Sequence, residues 1–121
     1  MARPTVLVVE PAKHLRELEM EALIRGGFHP CPADGLAKAM KKLETCNPKC
    51  AVTAFSLGDG TGAELVLAME RIGLFLPVIG VTGRAEARRA FEKVGVERFL
   101  PKPFTTDQLI GAVKAALSDG D

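Results

Sequence analysis

At 121 residues, with 16 basic and 15 acidic side chains, the chain has the length of one domain and almost no net charge. That balance supplies no basic surface for nucleic acid or an anionic membrane. No run approaches the ~20 apolar residues of a membrane crossing, and the N-terminus MARPTVLVVEP lacks the apolar core of a signal peptide. The expectation is a cytoplasmic protein, one domain over residues 1–121 with its core at about 4–117. Cys31, Cys46 and Cys50 make no even disulfide framework, and the C-x3-C spacing of the last two is neither a redox nor a zinc pattern. They read as packing or loop thiols.

The apolar run VLVV at 6–9 predicts a strand covered on both faces. Pro11 then opens a helix, where its missing N–H costs nothing. Leu15, Leu18 and Ala22 share its inner face, and Gly26-Gly27 ends it. A short strand follows near 28–31. Asp34 is placed to cap a second helix, with Leu36, Met40 and Leu43 inward. The third strand spans roughly 50–55. Leu65, Ala68, Met69 and Ile72 line a third helix that Gly73 stops. The fourth strand is 77–81, and Ala87, Ala90, Phe91 and Val94 line the fourth helix up to Gly95. The fifth strand is 96–100. Thr105 and Gln108 form a capping box for a last helix carrying Leu109, Val113 and Leu117.

Five strand–helix pairs predict an α/β fold, a doubly wound five-stranded parallel sheet. Pro30 sends the second strand to an edge, because proline cannot donate to a central ladder. Glu97 and Arg98 send the fifth to the other edge. Order 2-1-3-4-5 satisfies both, and right-handed crossovers put the first and last helices on one face. Such sheets bind ligands beyond the carboxyl ends of their strands. Glu10, Ala54, Thr82 and Lys102 stand at those ends.

The segments VLVVEP at 6–11, LGDGTG at 57–62, PVIGVTG at 77–83 and FLPKPF at 99–104 resemble the receiver domain of two-component response regulators over nearly the whole chain. The resemblance implies a flavodoxin-like (βα)5 fold. In that family an aspartate ending strand three accepts a phosphoryl group from a histidine kinase. Two acidic residues ending strand one hold Mg2+, and a Thr or Ser and a Lys contact the phosphoryl group. Thr82 and Lys102 match, and Glu10 matches the first acidic position. Pro11 replaces the direct Mg2+ ligand, and Ala54 replaces the phosphoacceptor. Gly58 and Thr61 stand where the family often has Pro and Asp.

Magnesium wants oxygen ligands in near-octahedral geometry. Here only the Ser56 carbonyl and an outer carboxylate, Glu10, remain. Alanine has no oxygen to attack phosphorus, and positioning cannot replace the attacking group. The resemblance therefore implies a pseudo-receiver: no enzyme, no cofactor, no metal, but a phosphorylation-independent interaction module in a phosphorelay-type pathway. Receivers often dock partner proteins through the fourth helix, fifth strand and fifth helix, which makes Arg88, Arg89 and Phe99 partner-binding candidates.

Several local expectations follow. Lys102, deprived of its carboxylate cluster, should pair with Glu10. Thr82 reads as a cap or backbone hydrogen bonder, and Phe99 as core or partner surface. The family implies a cis Lys102–Pro103 bond. Residues 58–62 read as a turn into the third helix capped by Asp59 or Thr61, and His14 as a solvated helix residue. Two alternatives stand beside the pseudo-receiver. One is a flavodoxin-like cofactor binder, opposed by the turn EPAKH at 10–14 and by the lack of Trp and Tyr. The other is a receiver using Ser56 or Thr53 as acceptor.

Overall fold

The computed structural model describes residues 3–119. In chain order the elements are β1 (Thr5–Val9), α1 (Lys13–Arg25), β2 (His29–Ala33), α2 (Leu36–Cys46), β3 (Cys50–Ala54), α3 (Gly62–Arg71), β4 (Val78–Thr82), α4 (Ala85–Lys93), β5 (Arg98–Pro101) and α5 (Thr106–Asp119). The strands form one parallel sheet in the order β2-β1-β3-β4-β5. The prolines of β2 and Arg98 of β5 lie on its edges, as expected. Among the described residues no helix is long and apolar enough to cross a membrane.

Alternation along the strands builds two cores. Val6, Val8, Cys50 and Val52 face Leu23, Leu109 and Val113 of α1 and α5. Leu7, Val9 and Ala51 face Leu43, Leu65 and Met69 of α2 and α3. Under α4 the fully buried Phe91 meets Phe55 edge-on at 5.5 Å and Phe99 at 6.5 Å between ring centroids. This ring explains two glycines. A Cβ on Gly80 would lie 2.7 Å from Phe91, and one on Gly62 would lie 2.8 Å from the same ring and 2.5 Å from the Ala54 carbonyl oxygen.

Several boundaries differ from the sequence expectations. The Ala12 N–H donates to Glu10 Oε2 at 3.0 Å, which closes a turn, so α1 begins at Lys13 and Pro11 stays outside it. The Phe28 N–H donates to the Leu23 carbonyl as part of the helix stop, which delays β2 to His29. At the end of α4 the Val96 N–H bonds back to Phe91, so β5 begins only at Arg98.

Asp34 does not cap α2. Its first-turn N–H groups, of Leu36 and Ala37, donate instead to the two carboxylate oxygens of Asp59 at 2.7 and 3.0 Å. Asp59 thus caps α2 from the loop before α3. Those two bonds, to Ala37 and then Leu36, hold its pKa below the ordinary 3.8. Thr61 caps α3, accepting from the Glu64 N–H, and Thr105 and Gln108 form the expected reciprocal box at α5.

The reading of all cysteines as free thiols is overturned. Cys31 of β2 and Cys46 of α2 form a disulfide, because packing α2 on the edge strand brings their Cα atoms to 6.7 Å. An odd cysteine count does not prevent one pair. Cys50 remains a buried free thiol, and burial pushes its pKa up to about 12.

Two residues assigned to inner helix faces are exposed. Ile72 is 58% exposed because it is the C-cap of α3, already outside the helical face. Leu18 is 48% exposed because the buried Leu23 sets the rotation of α1. One turn earlier, that rotation carries Glu19 inward.

Candidate functional site

The register brings Glu10, Ala54, Thr82 and Lys102 to one end of the sheet, as predicted. Each strand positions its residue by ending in the ladder: Val9 opposite Thr53, Ala54 opposite Val81, Thr82 opposite Pro101. Glu10, Ala54 and Thr82 are buried, and the Lys102 N–H donates to the Thr82 carbonyl at 2.9 Å. Glu10, Ala54 and Lys102, with Ser56, Gly83 and Arg84, line a cavity of about 460 Å3; Thr82 is not part of its lining.

Lys102 Nζ lies 3.9 Å from Glu10 Oε1, the expected ion pair; the Glu10 side chain is 6% exposed and that of Lys102 41%. Glu10 Oε2 is taken by the Ala12 N–H, and the Arg16 guanidinium donates to the Glu10 and Pro11 carbonyls at 2.8 and 3.2 Å. Glu10 Oε2 thus accepts a hydrogen bond and Oε1 faces only the Lys102 ammonium at 3.9 Å; Glu86 is the other carboxylate lining the cavity. Pro11 is exposed and offers no side-chain oxygen. The residues present do not fit a Mg2+ ion, which needs several oxygen ligands at once. Among the described residues no group of three or more His, Cys, Asp or Glu is placed to hold a metal ion.

The centre of the cavity holds a methyl group, that of Ala54. Thr53 Oγ1 is fully buried and donates to the Ala54 carbonyl at 2.9 Å, so it faces away from an incoming phosphoryl group. Ser56 is exposed, one residue beyond Phe55 at the mouth. His14 is exposed on the first turn of α1. The Lys102–Pro103 bond is cis.

On the neighbouring surface the Arg88 guanidinium lies over the Phe99 ring, 4.4 Å from its centroid, and its Nε is 3.7 Å from Glu92 Oε2. Phe99 packs toward Phe91 on one side, as the core reading expects, and its other side is covered by Arg88. Arg89 is exposed beside them.

Sequence reasoning missed Glu19. It is 2% exposed, and neither carboxyl oxygen accepts a hydrogen bond from the protein. Its pKa is raised from 4.5 to about 8, chiefly by desolvation, with Glu10 adding to the rise and Lys102 opposing it. In LRELEMEALIR a glutamate among alternating charges carries no signal of burial.

A family model described as "Response regulator receiver domain" matches residues 6–114. Over 122 residues the chain is 29% identical to the phosphate regulon transcriptional regulatory protein PhoB of Escherichia coli (strain K12), covering 97% of this chain and 52% of that protein. Against the swarming motility regulation protein RssB of Serratia marcescens it is 30% identical over 112 residues, covering 91% and 51%. The chain thus spans about half the length of these curated relatives. The CheY-like receiver domain protein from Methanospirillum hungatei JF-1 shares the fold at TM-score 0.88 and 21% identity, covering 97% of this chain and 95% of that one. Chemotaxis response regulator CheY4 of Vibrio cholerae does so at 0.88 and 22%, covering 95% and 99%. Receiver domains are signalling modules that work through partner proteins, and this chain belongs to the response regulator receiver domain family.

Proposed function

We propose that this chain is a pseudo-receiver: a single domain over 1–121 that signals in the cytoplasm without being phosphorylated, as a protein-interaction module and not as an enzyme. The observation that carries this reading is the Ala54 methyl at the carboxyl end of β3, where phosphoryl transfer requires an attacking oxygen. Two further features support it. Pro11 denies magnesium a direct ligand, and Glu10 already compensates Lys102. With the phosphoryl input gone, the domain is held in one state or shifted by whatever binds its states unequally. Its partner-facing surface is α4–β5–α5, where Arg88, Arg89 and Phe99 combine charge with a partly open aromatic ring. Nucleic acid and membrane contacts fall outside this domain.

The test is phosphorylation by acetyl phosphate with Mg2+, read by intact mass. Wild type and Ala54→Asp stay unlabelled, the latter because Pro11 still withholds the metal ligand. The double variant Pro11→Asp, Ala54→Asp gains one phosphoryl group. Labelling of wild type at Ser56 would replace the proposal with a receiver using that hydroxyl. Efficient labelling of Ala54→Asp alone would show that the metal site is intact.

A further inference from the structure

A second cavity, of about 690 Å3, opens between α1 and α5 and is closed at one end by the β5–α5 loop. Leu15, Leu18, Ala22, Phe104 and Leu109 give it an apolar wall, and Glu19 is part of that wall. Its volume lies within the range of small-molecule sites, as does its make-up of mostly apolar lining with a few polar groups.

Glu19 is the unusual member. A carboxyl buried without a hydrogen bond is costly, and an apolar residue of similar size would avoid that cost. The protein's own cations leave it unsatisfied. Lys102 and Arg25 line the same cavity, but neither hydrogen-bonds Glu19, and Lys102 is engaged with Glu10. Both oxygens lack a hydrogen bond and are closed off behind the cavity wall, so a positive donor group carried on an apolar body must part that wall to supply the missing partner. Glu21 adds a second carboxylate to the lining, offset by the cations Arg25 and Lys102, so the head-group preference rests on Glu19 itself.

We propose that the α1–α5 cavity is a binding site for a small amphiphilic organic cation, its ammonium or amidinium group paired with Glu19 and its apolar body against Leu15, Phe104 and Leu109. Binding ionises Glu19, and its proton passes to solvent. Affinity therefore rises with pH until the carboxyl is ionised in the free protein. The charged groups that act on Glu19 are Glu10 at the end of β1 and Lys102 in the β5–α5 loop, while Glu21 and Arg25 of α1 line the same cavity. The site shares Gly83 and Lys102 with the cavity at the strand ends, so a ligand here touches the loops that a phosphoryl group would otherwise address. This inference does not depend on whether the chain can be phosphorylated.

The experiment titrates the 15N-labelled domain with 4-phenylbutylamine, 4-phenylbutanol and 4-phenylbutyrate, which share one apolar body and differ in head group. The amine is expected to shift the amides around Leu15, Glu19, Phe104 and Leu109 saturably. The alcohol should bind about tenfold more weakly, the scale of one charge-assisted hydrogen bond, and the carboxylate should not bind. Glu19→Gln should weaken the amine by a similar factor, and Glu19→Leu should abolish its binding while keeping a folded spectrum and a raised Tm. The proposal is overturned by unsaturated shifts, by equal affinity for all three head groups, by shifts centred on α4 and β5, or by amine binding that survives Glu19→Leu.

Discussion

On the α2–α3 side of the sheet, Asp59 caps a helix that starts 23 residues before it, and a disulfide joins β2 to α2. On the α1–α5 side, a carboxyl is buried without a hydrogen bond beside a cavity of about 690 Å3. The same fold thus carries a face fastened by cross-connections and a face left open with an unmet polar demand. Buried groups that reduce stability persist where they serve something other than stability, which is why the second face invites a functional reading and the first a structural one.

Cutting side chains from each face should break this contrast with opposite signs. The largest loss is expected from Phe91→Ala on the fastened side. It removes a fully buried ring and should cost about 3–5 kcal/mol by denaturant unfolding. Next comes Cys46→Ser, which opens a loop with a sequence separation of 15 and should cost about 3 kcal/mol on a chain-entropy estimate.

On the open side the sign reverses. Glu19→Leu should gain about 1–3 kcal/mol at pH 8 by removing a buried carboxyl. The pH dependence follows from linkage. The folded-state pKa near 8 lies above the ordinary 4.5, so the folded domain keeps a proton that the unfolded chain has released. Wild-type stability should therefore fall as pH rises from about 4.5 to about 8, and Glu19→Leu should flatten that slope. Thermal melts at both ends of the window check it; a wild-type slope of the opposite sign would contradict the buried-acid assignment.

The smallest effect sharpens the comparison from the acid side. Asp59 has a depressed folded-state pKa, so its contribution is present above the ordinary carboxylate value and is lost as pH falls through the lower one. Asp59→Ala should lower Tm slightly at neutral pH and leave less to lose on acidification, with amide exchange quickened at Leu36 and Ala37.

The sheet was legible because its strands are short apolar runs, and because Pro30 and Arg98 excluded the alternatives for the edges. The site at the strand ends followed from that topology, including the Lys102–Glu10 pair. Interactions that depend on three-dimensional return were not legible. A helix cap is a local signal when it lies within three residues of the helix start, and Asp59 lies beyond that reach of α2. The Cys31–Cys46 bond was hidden by reasoning from parity, when what decides it is how α2 sits on an edge strand. Glu19 was hidden because α1 carries apolar residues around much of its circumference, so the pattern left the rotation undetermined. Leu23 and the turn after it decide that rotation in the fold.

The sealed position of Cys50 gives the molecule an internal reference for thiol counting. With a pKa near 12 and no exposed surface, its sulfur should ignore a thiol reagent in the native protein. Unfolding without reductant should release one reactive group, and unfolding with reductant all three. A colorimetric assay on a few micrograms thus reports separately whether the chain is folded and whether its cross-link is closed.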